Sequence, residues 1–142
     1  MTKILYETDY NQWVNKTVQQ LRERKFDGVD WDNLIEEIED MGKSQKRALE
    51  SFLTRLVEHL LKLSYWESEK ERNGNHWKSE IVNFRYQIHK RLKESPSLRP
   101  ELESIYAEIF PVAIKSVSQL FPLEKDAYVP LEKTLDNDWF PE

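Results

Sequence analysis

The distribution of proline is the sequence feature that most restricts the fold. All six Pro residues lie after residue 95, and the stretch before Pro96 contains all three Gly residues of the chain. Proline lacks the amide proton of the helical ladder, and both residue types disfavour helix interiors. A long stretch nearly free of them favours helices joined by short turns. The sequence therefore predicts an all-α fold.

Apolar residues at helical spacing divide the chain into helices. The clearest run covers residues 44–64, where an apolar side chain recurs every three or four positions, and it predicts a central helix about 30 Å long. Gly42 either ends the preceding helix or lies inside a kinked helix that continues into 44–64. Other helices are predicted to begin near Thr8 or Asp9, after Asp30 and after Asn75.

Polar and helix-breaking residues predict the connections. Residues 66–75, WESEKERNGN, are polar and end in Asn-Gly-Asn, which indicates a loop. A later helix meets Pro111 and either continues beyond a kink or starts again. We expect a single helical domain over 1–142. Its architecture is a compact bundle of five or six helices around 44–64, with a Pro-punctuated C-terminal tail.

Charge is unevenly distributed along the chain. The net charge is −5, with surpluses of five acidic residues in 1–42, five basic residues in 43–94 and five acidic residues in 95–142. One interpretation is that acidic elements pack around a basic middle. The other is that 43–94 is a basic patch that binds nucleic acid weakly. Because the pI is about 5.4 and no nucleic-acid-binding motif occurs, we expect no strong binding of DNA or RNA.

Several classes of site are excluded by composition. The chain has no Cys, which excludes a disulfide scaffold, a thiolate zinc site, an iron–sulfur cluster and a Cys nucleophile. Three isolated Gly residues cannot form a phosphate-binding loop. No Glu-x-x-His pair is present for a two-metal bundle site. We therefore expect no metal, no cofactor and no catalytic residue.

The start of the chain carries no targeting signal. Its first ten residues contain no apolar run of signal-peptide length, and no segment has the ~20 apolar residues of a membrane helix. We expect a cytoplasmic protein that does not interact with membranes.

Four polar residues lie at the edges of apolar faces and are candidates for a ligand site or a structural cluster: Glu37, Glu39, His59 and Arg85. Arg85 lies near the centre of its apolar stripe, and a buried Arg needs a partner. We predict that it contacts Glu37 or Glu39. His59 is expected to pack at the edge of the core, with one ring nitrogen bonded to a carbonyl or a carboxylate.

Two aromatic residues next to the chain end are candidate partner contacts. Ordering is hard to maintain near a terminus without a contact, so Trp139 and Phe140 should be docked on their own bundle or on a second copy.

Several segments together resemble the bacterial DUF29 family, a domain of unknown function abundant in cyanobacteria. They are TDYNQW, DWDNLIEEIEDMG, LVEHLLKL and HWKSEIVNFRYQIHKRLKESPSL. The resemblance covers nearly the whole chain and implies an all-helical, bacterial, cytoplasmic protein. It implies no activity.

The sequence favours a protein-interaction or regulatory module without catalytic activity, whose partner is another protein or a second copy of the chain. The first alternative is an enzyme or ligand-binding protein with a site near Glu37, His59 and Arg85. The second is a weak nucleic-acid binder that uses residues 43–94.

Overall fold

The regular elements of the protein are helical. The computed structural model describes residues 4–142, in which 79% of the residues are helical and no β-strand occurs. Six α-helices are present in this range: α1 Leu5–Thr8, α2 Tyr10–Arg22, α3 Trp31–Tyr65, α4 Glu67–Glu94, α5 Leu102–Ser118 and α6 Leu131–Thr134. Short 3-10 helices cover Phe26–Gly28 and Pro96–Glu101. The all-α prediction is confirmed.

The chain divides into two compact units between Ser44 and Gln45, inside α3. The N-terminal unit contains α1, α2 and the first turns of α3, and the C-terminal unit contains the rest. The sequence-based expectation of a single domain stays a prediction.

Local hydrogen bonds define both ends of α2. The Asp9 side chain accepts a hydrogen bond from the Gln12 backbone N–H at 3.0 Å, which caps the N-terminus as the sequence predicts. At the C-terminus, Lys25 N–H donates to the Gln20 carbonyl at 2.9 Å, and Arg24 has a φ of 58°. This is a Schellman motif with Arg in the left-handed position that Gly usually takes, so α2 ends three residues before the predicted Lys25.

The N-terminal unit has a small core. Trp13, Thr17 and Val29 are its buried residues. The Tyr6 ring contacts the Trp13 ring edge-on, with centroids 4.8 Å apart. The Gln20 side chain donates to the Gly28 carbonyl at 2.8 Å and so fixes the turn after α2. Polar and aromatic contacts therefore hold this unit together more than apolar burial does.

Helix α3 passes through Gly42 without interruption. Of the two sequence interpretations, continuation is therefore observed, and Gly42 does not end a helix. A methyl group at Gly42 would meet no atom within 4 Å. Gly42 is therefore not required by close packing against another element. The helix propensity of the residues on both sides is sufficient to continue the helix through it.

The core of the C-terminal unit is built around residues 45–65 of α3. Helices α4 and α5 pack against this segment, as the sequence predicts for a central helix. Seven residues of α3 in this segment are fully buried: Leu49, Leu53, Leu56, Val57, Leu60, Leu61 and Leu63. A polar contact adds to this burial where the segment begins, through the 3.2 Å hydrogen bond from Gln45 to Glu94.

The predicted loop at 66–75 is wrong, because residues 67–75 are helical. Only Trp66 separates α3 from α4, and α4 runs through Asn73-Gly74-Asn75. Gly74 is buried, and a Cβ at this position would lie 3.7 Å from Leu63, so α4 packs against α3 here with room for a methyl group. Asn73 donates to Glu69 one turn earlier at 2.7 Å. Tertiary packing thus overrides the turn preference of the Asn-Gly-Asn sequence.

Helix α5 continues past Pro111 as one helix. Both Pro111 and Ala107, whose carbonyl would normally accept from residue 111, are exposed. Water can therefore reach the position where the helical bond is missing, which makes the interruption tolerable. The tail beyond α5 packs back onto the core through Phe121, Leu123, Leu131, Leu135, Trp139 and Phe140.

The helical state of 66–75 gives a test by substitution. Gly74→Ala is expected to raise the free energy of unfolding by about 0.5–1 kcal/mol, because Ala has the higher helix propensity and its methyl group fits at 3.6–3.7 Å from Lys70 and Leu63. Urea denaturation measures the change. Gly28→Ala is the control and should not stabilise, since its Cβ would lie 2.8 Å from the Gln20 amide nitrogen and would displace that side chain from its hydrogen bond to the Gly28 carbonyl. A loss of stability in Gly74→Ala would contradict the continuous helix.

Candidate interaction surface

Arg85 is a buried cation held by backbone carbonyls. Its side chain belongs to α4 and is 1% exposed. The Nε atom donates to the Thr134 carbonyl at 2.9 Å, and Nη2 donates to the Lys133 carbonyl at 3.2 Å. Burial lowers the pKa of Arg85, and the nearby carboxylate of Asp136 opposes this shift. The prediction of a carboxylate partner, Glu37 or Glu39, is wrong: the partners are carbonyls at the end of α6.

The C-terminal tail is held at several points around Arg85. His89, one turn further along α4, bonds through Nε2 to the Leu135 carbonyl at 3.0 Å, so two α4 side chains hold three consecutive carbonyls. Tyr106 of α5 donates its hydroxyl to the Val129 carbonyl, and this hydroxyl lies 2.8 Å from Thr134 Oγ1. Burial is the main reason that the pKa of Tyr106 is raised to about 12.

Trp139 and Phe140 pack on their own bundle. Both are half-buried against the core of the C-terminal unit. The Arg85 guanidinium lies 5.3 Å from the centre of the Phe140 ring, and Lys133 Nζ lies 5.4 Å from that of Trp139. Of the two expectations for this pair, docking on the same chain is the one observed.

His59 lies at the edge of the core between two hydrogen-bond acceptors. Its Nδ1 donates to the Arg55 carbonyl at 2.8 Å, and its Nε2 contacts the carboxylate of Glu80. His76 contacts the other oxygen of Glu80 at 3.1 Å. Two histidines therefore share one carboxylate, while Arg85 has separate partners in the tail. His59 and Arg85 thus do not share a partner.

Glu37 joins the first two helices to α3 inside the N-terminal unit. It accepts hydrogen bonds from the hydroxyls of Tyr6 and Tyr10, the second at 2.7 Å. These bonds lower the pKa of Glu37 and, by favouring the neutral phenol, raise the pKa of Tyr6 to about 12. Glu39, in contrast, is exposed and has no hydrogen-bond or ion-pair partner within residues 4–142. Glu37 thus holds two tyrosines, whereas Glu39 faces solvent, although the sequence gives no reason to distinguish them.

The first turns of α3 present an apolar face to solvent. Trp31, Ile35, Ile38 and Met41 recur at helical spacing, and their exposed fractions are 45%, 51%, 58% and 69%. We call these four residues the α3 face. The sequence pattern predicts an apolar face of Leu34, Ile35, Ile38 and Met41 but not its exposure, because periodicity shows which residues share a side of a helix and not whether that side is covered.

Acidic residues border one edge of the α3 face. At 100° per residue Asp32 and Glu39 lie beside this edge, Glu36 and Asp40 lie further round the helix, all four are exposed, and Lys43 is the single basic residue in 31–44. Scattered exposed apolar residues are ordinary on a protein surface, whereas a continuous apolar strip with a charged border is typical of a binding surface. The acidic surplus of residues 31–44 is the sequence signal that could have indicated that this apolar face is exposed.

Two kinds of site are absent from the part of the chain that the structure describes. In residues 4–142, no three His, Asp or Glu side chains are grouped so that they could hold a metal ion. Over the same residues, no helix has both the length and the apolar character to cross a membrane.

Comparison with known proteins identifies one family. The family model described as "Domain of unknown function DUF29" matches residues 5–140. No curated protein and no solved structure matches the chain.

The hydrogen bonds from Arg85 to the Lys133 and Thr134 carbonyls form what we call the carbonyl clamp. Removing the Arg85 guanidinium should therefore loosen the C-terminal tail. Arg85→Met keeps much of the side-chain length and leaves the Lys133 and Thr134 carbonyls without donors, so we expect a loss of about 3 kcal/mol in the free energy of unfolding. Urea denaturation gives the energy, and limited proteolysis gives the exposure of 128–142. Arg99→Met, at an exposed position, is the control. A loss below about 1 kcal/mol, with the tail still resistant, would contradict the clamp.

The hydrogen bond between Tyr6 and Glu37 predicts how the stability of the N-terminal unit depends on pH. The Tyr6–Glu37 bond contributes stability that is complete above the ordinary Glu pKa of 4.5, and this is lost as pH falls through the lowered pKa of Glu37. Because the pKa of Tyr6 is raised, the contribution is complete below pH 10.0 and is lost as pH rises through about 12. Glu37→Gln should move the pKa of Tyr6 towards 10.0 in a phenolate absorbance titration. Glu39→Gln should not, and equal titrations of all three proteins would disprove the assignment.

Proposed function

We propose that this chain, which belongs to the DUF29 family, is a protein-interaction module that binds its partner through the α3 face. The observation that carries the proposal is the exposure of four large apolar side chains at successive turns of one helix. Each turn of a helix rises about 5.4 Å, so the strip from Trp31 to Met41 is about 15 Å long. That length suits a partner helix of three turns or more.

Apolar burial is the driving force that such a surface offers. Fully burying a side chain such as Ile38 is worth roughly 1.5–3 kcal/mol, and a partner would cover several of them at once. Phe26 extends the strip, since it is 44% exposed and its ring centroid lies 6.3 Å from that of Trp31. The Trp31 indole N–H donates to the Phe26 carbonyl at 3.1 Å, which holds this end of the surface in place before any partner binds. Preorganisation of this kind lowers the entropic cost of association.

The charges around the α3 face select the kind of partner. An apolar strip with the exposed carboxylates of Asp32 and Glu39 along one edge complements an amphipathic helix whose apolar side is bordered by Lys or Arg. A second copy of this chain would bring two acidic borders together, which opposes association. The proposed partner is therefore a basic amphipathic helix of another protein, and the module recognises it without changing it chemically.

Site-specific photocrosslinking in cells of the native host tests the proposal. With benzoylphenylalanine in place of Ile38, we expect adducts to a segment of another protein that is net positive and amphipathic at helical spacing. The matched control carries the same crosslinker in place of Asp40, two residues away and about 160° round the helix. It should give few adducts. Adducts to a second copy of the chain, an acidic captured segment, or equal labelling at both positions would overturn the proposal.

Substitution at the same position gives an independent measurement. Once the crosslinked segment is known as a peptide, Ile38→Asp should weaken its binding at least tenfold, because a charge replaces the apolar contact. Ile38→Leu preserves the contact and should bind nearly as the original chain does. Circular dichroism checks that both variants keep their helicity. Unchanged affinity in Ile38→Asp would show that the α3 face is not the binding surface.

A further inference from the structure

A groove in the C-terminal unit, separate from the α3 face, has the composition of a ligand site. It lies between one side of α5 and the tail residues 128–132, and its volume is about 550 Å³. This volume falls within the range of small-molecule sites in proteins, roughly 300–1,000 Å³. The groove walls come from two segments that Tyr106 joins through its bonds to Val129 and Thr134, so the groove is formed before any ligand arrives.

Three aromatic rings line the groove. The centroids of Tyr106 and Phe110 lie 5.5 Å apart, and those of Phe110 and Tyr128 lie 5.1 Å apart, with the planes tilted by about 50° in both pairs. Tyr128 is 58% exposed although it is a large aromatic residue. Aromatic faces carry negative electrostatic potential and attract cations, and tilted clusters of them bind quaternary ammonium groups in many proteins.

Apart from the Tyr128 hydroxyl, the polar side chains of the groove that are free to bind a ligand are carboxylates. Glu103 and Glu132 lie in its wall, and neither has an ion-pair partner among the described residues. No Lys, Arg or His lines the groove. The Tyr106 hydroxyl already donates to the Val129 carbonyl, so it is not available as a donor to a ligand.

Pro111 contributes to the same negative character. Because Pro111 has no N–H, the carbonyl of Ala107 lacks the donor that an α-helix would give it, and both residues line the groove. An anion in this groove would face two carboxylates and would find no cationic side chain. A cation, in contrast, would gain from the carboxylates and from the aromatic faces together.

We propose that this groove between α5 and the tail binds a small organic cation, an ammonium group that carries methyl or alkyl substituents. The ammonium contacts the faces of Phe110 and Tyr128, Glu103 and Glu132 balance its charge, and its alkyl part covers Leu131 and Pro130. This site is independent of the α3 face, and either proposal can fail without the other.

Binding of defined probes by the full-length protein tests the site. Choline is the cationic probe, and 3,3-dimethyl-1-butanol is its neutral counterpart of the same shape, with carbon in place of nitrogen. Chemical shift perturbation in ¹H–¹⁵N spectra detects weak binding and locates it. We expect saturable shifts with choline at residues of α5 and 128–132, and binding of the neutral probe weaker by on the order of tenfold.

Matched variants separate the contributions of aromatic and acidic residues. Tyr128→Ala should weaken choline binding by about tenfold, whereas Tyr86→Ala, which removes an equally exposed Tyr outside the groove, should not. The double variant Glu103→Gln/Glu132→Gln should weaken choline binding and leave the neutral probe unaffected, with Glu108→Gln as the control. Equal binding of the two probes, shifts located elsewhere, or no saturable binding of choline would each overturn the proposal.

Discussion

The fold of the C-terminal unit has to provide hydrogen-bond acceptors for the buried guanidinium of Arg85. A cation that is 1% exposed cannot be left without hydrogen-bond acceptors, because the cost of burying a charge without partners exceeds what apolar packing nearby can offset. Its Nε and Nη2 atoms donate to the carbonyls of Thr134 and Lys133, nearly fifty residues further along the chain, while Nη1 is buried without a hydrogen-bond partner among the described residues. Burial of this part of α4 and docking of the tail therefore depend on each other.

The sequence allowed most of the helices to be predicted, but not the partners of their polar side chains. Helical periodicity identified the central helix as 44–64, and residue type identified Thr8 or Asp9 as a cap, because both depend on the local sequence. The partner of Arg85 was missed for a different reason: every residue has a carbonyl, so no sequence pattern distinguishes the two that bind. The Asn-Gly-Asn of α4 was interpreted as a turn because the contact between Gly74 and Leu63 exists only in the folded chain.

The two proposed sites share a physical basis. The α3 face has an acidic border, and the groove beside α5 contains two carboxylates and a carbonyl that lacks its helical donor. Both complement a positively charged group attached to an apolar body, although one partner is a helix and the other a small molecule. These surfaces lie in the first 42 and the last 48 residues, the two parts of the chain that have an acidic surplus. Much of the basic middle is engaged within the unit, as Lys46 with Glu101 and Arg91 over the Phe52 ring show.

The single residue between α3 and α4 limits how the family can vary over evolution. Trp66 alone joins the two helices, and its ring stacks between those of Trp77 and Phe121. Inserting or deleting one residue there would turn α4 by about 100° and shift it by about 1.5 Å, which would move Arg85 off its carbonyls. Changes in chain length should therefore be rejected at this joint and accumulate in the irregular segment that follows Ser118. This joint should therefore serve as a spacer of fixed length, even where the residues around it differ.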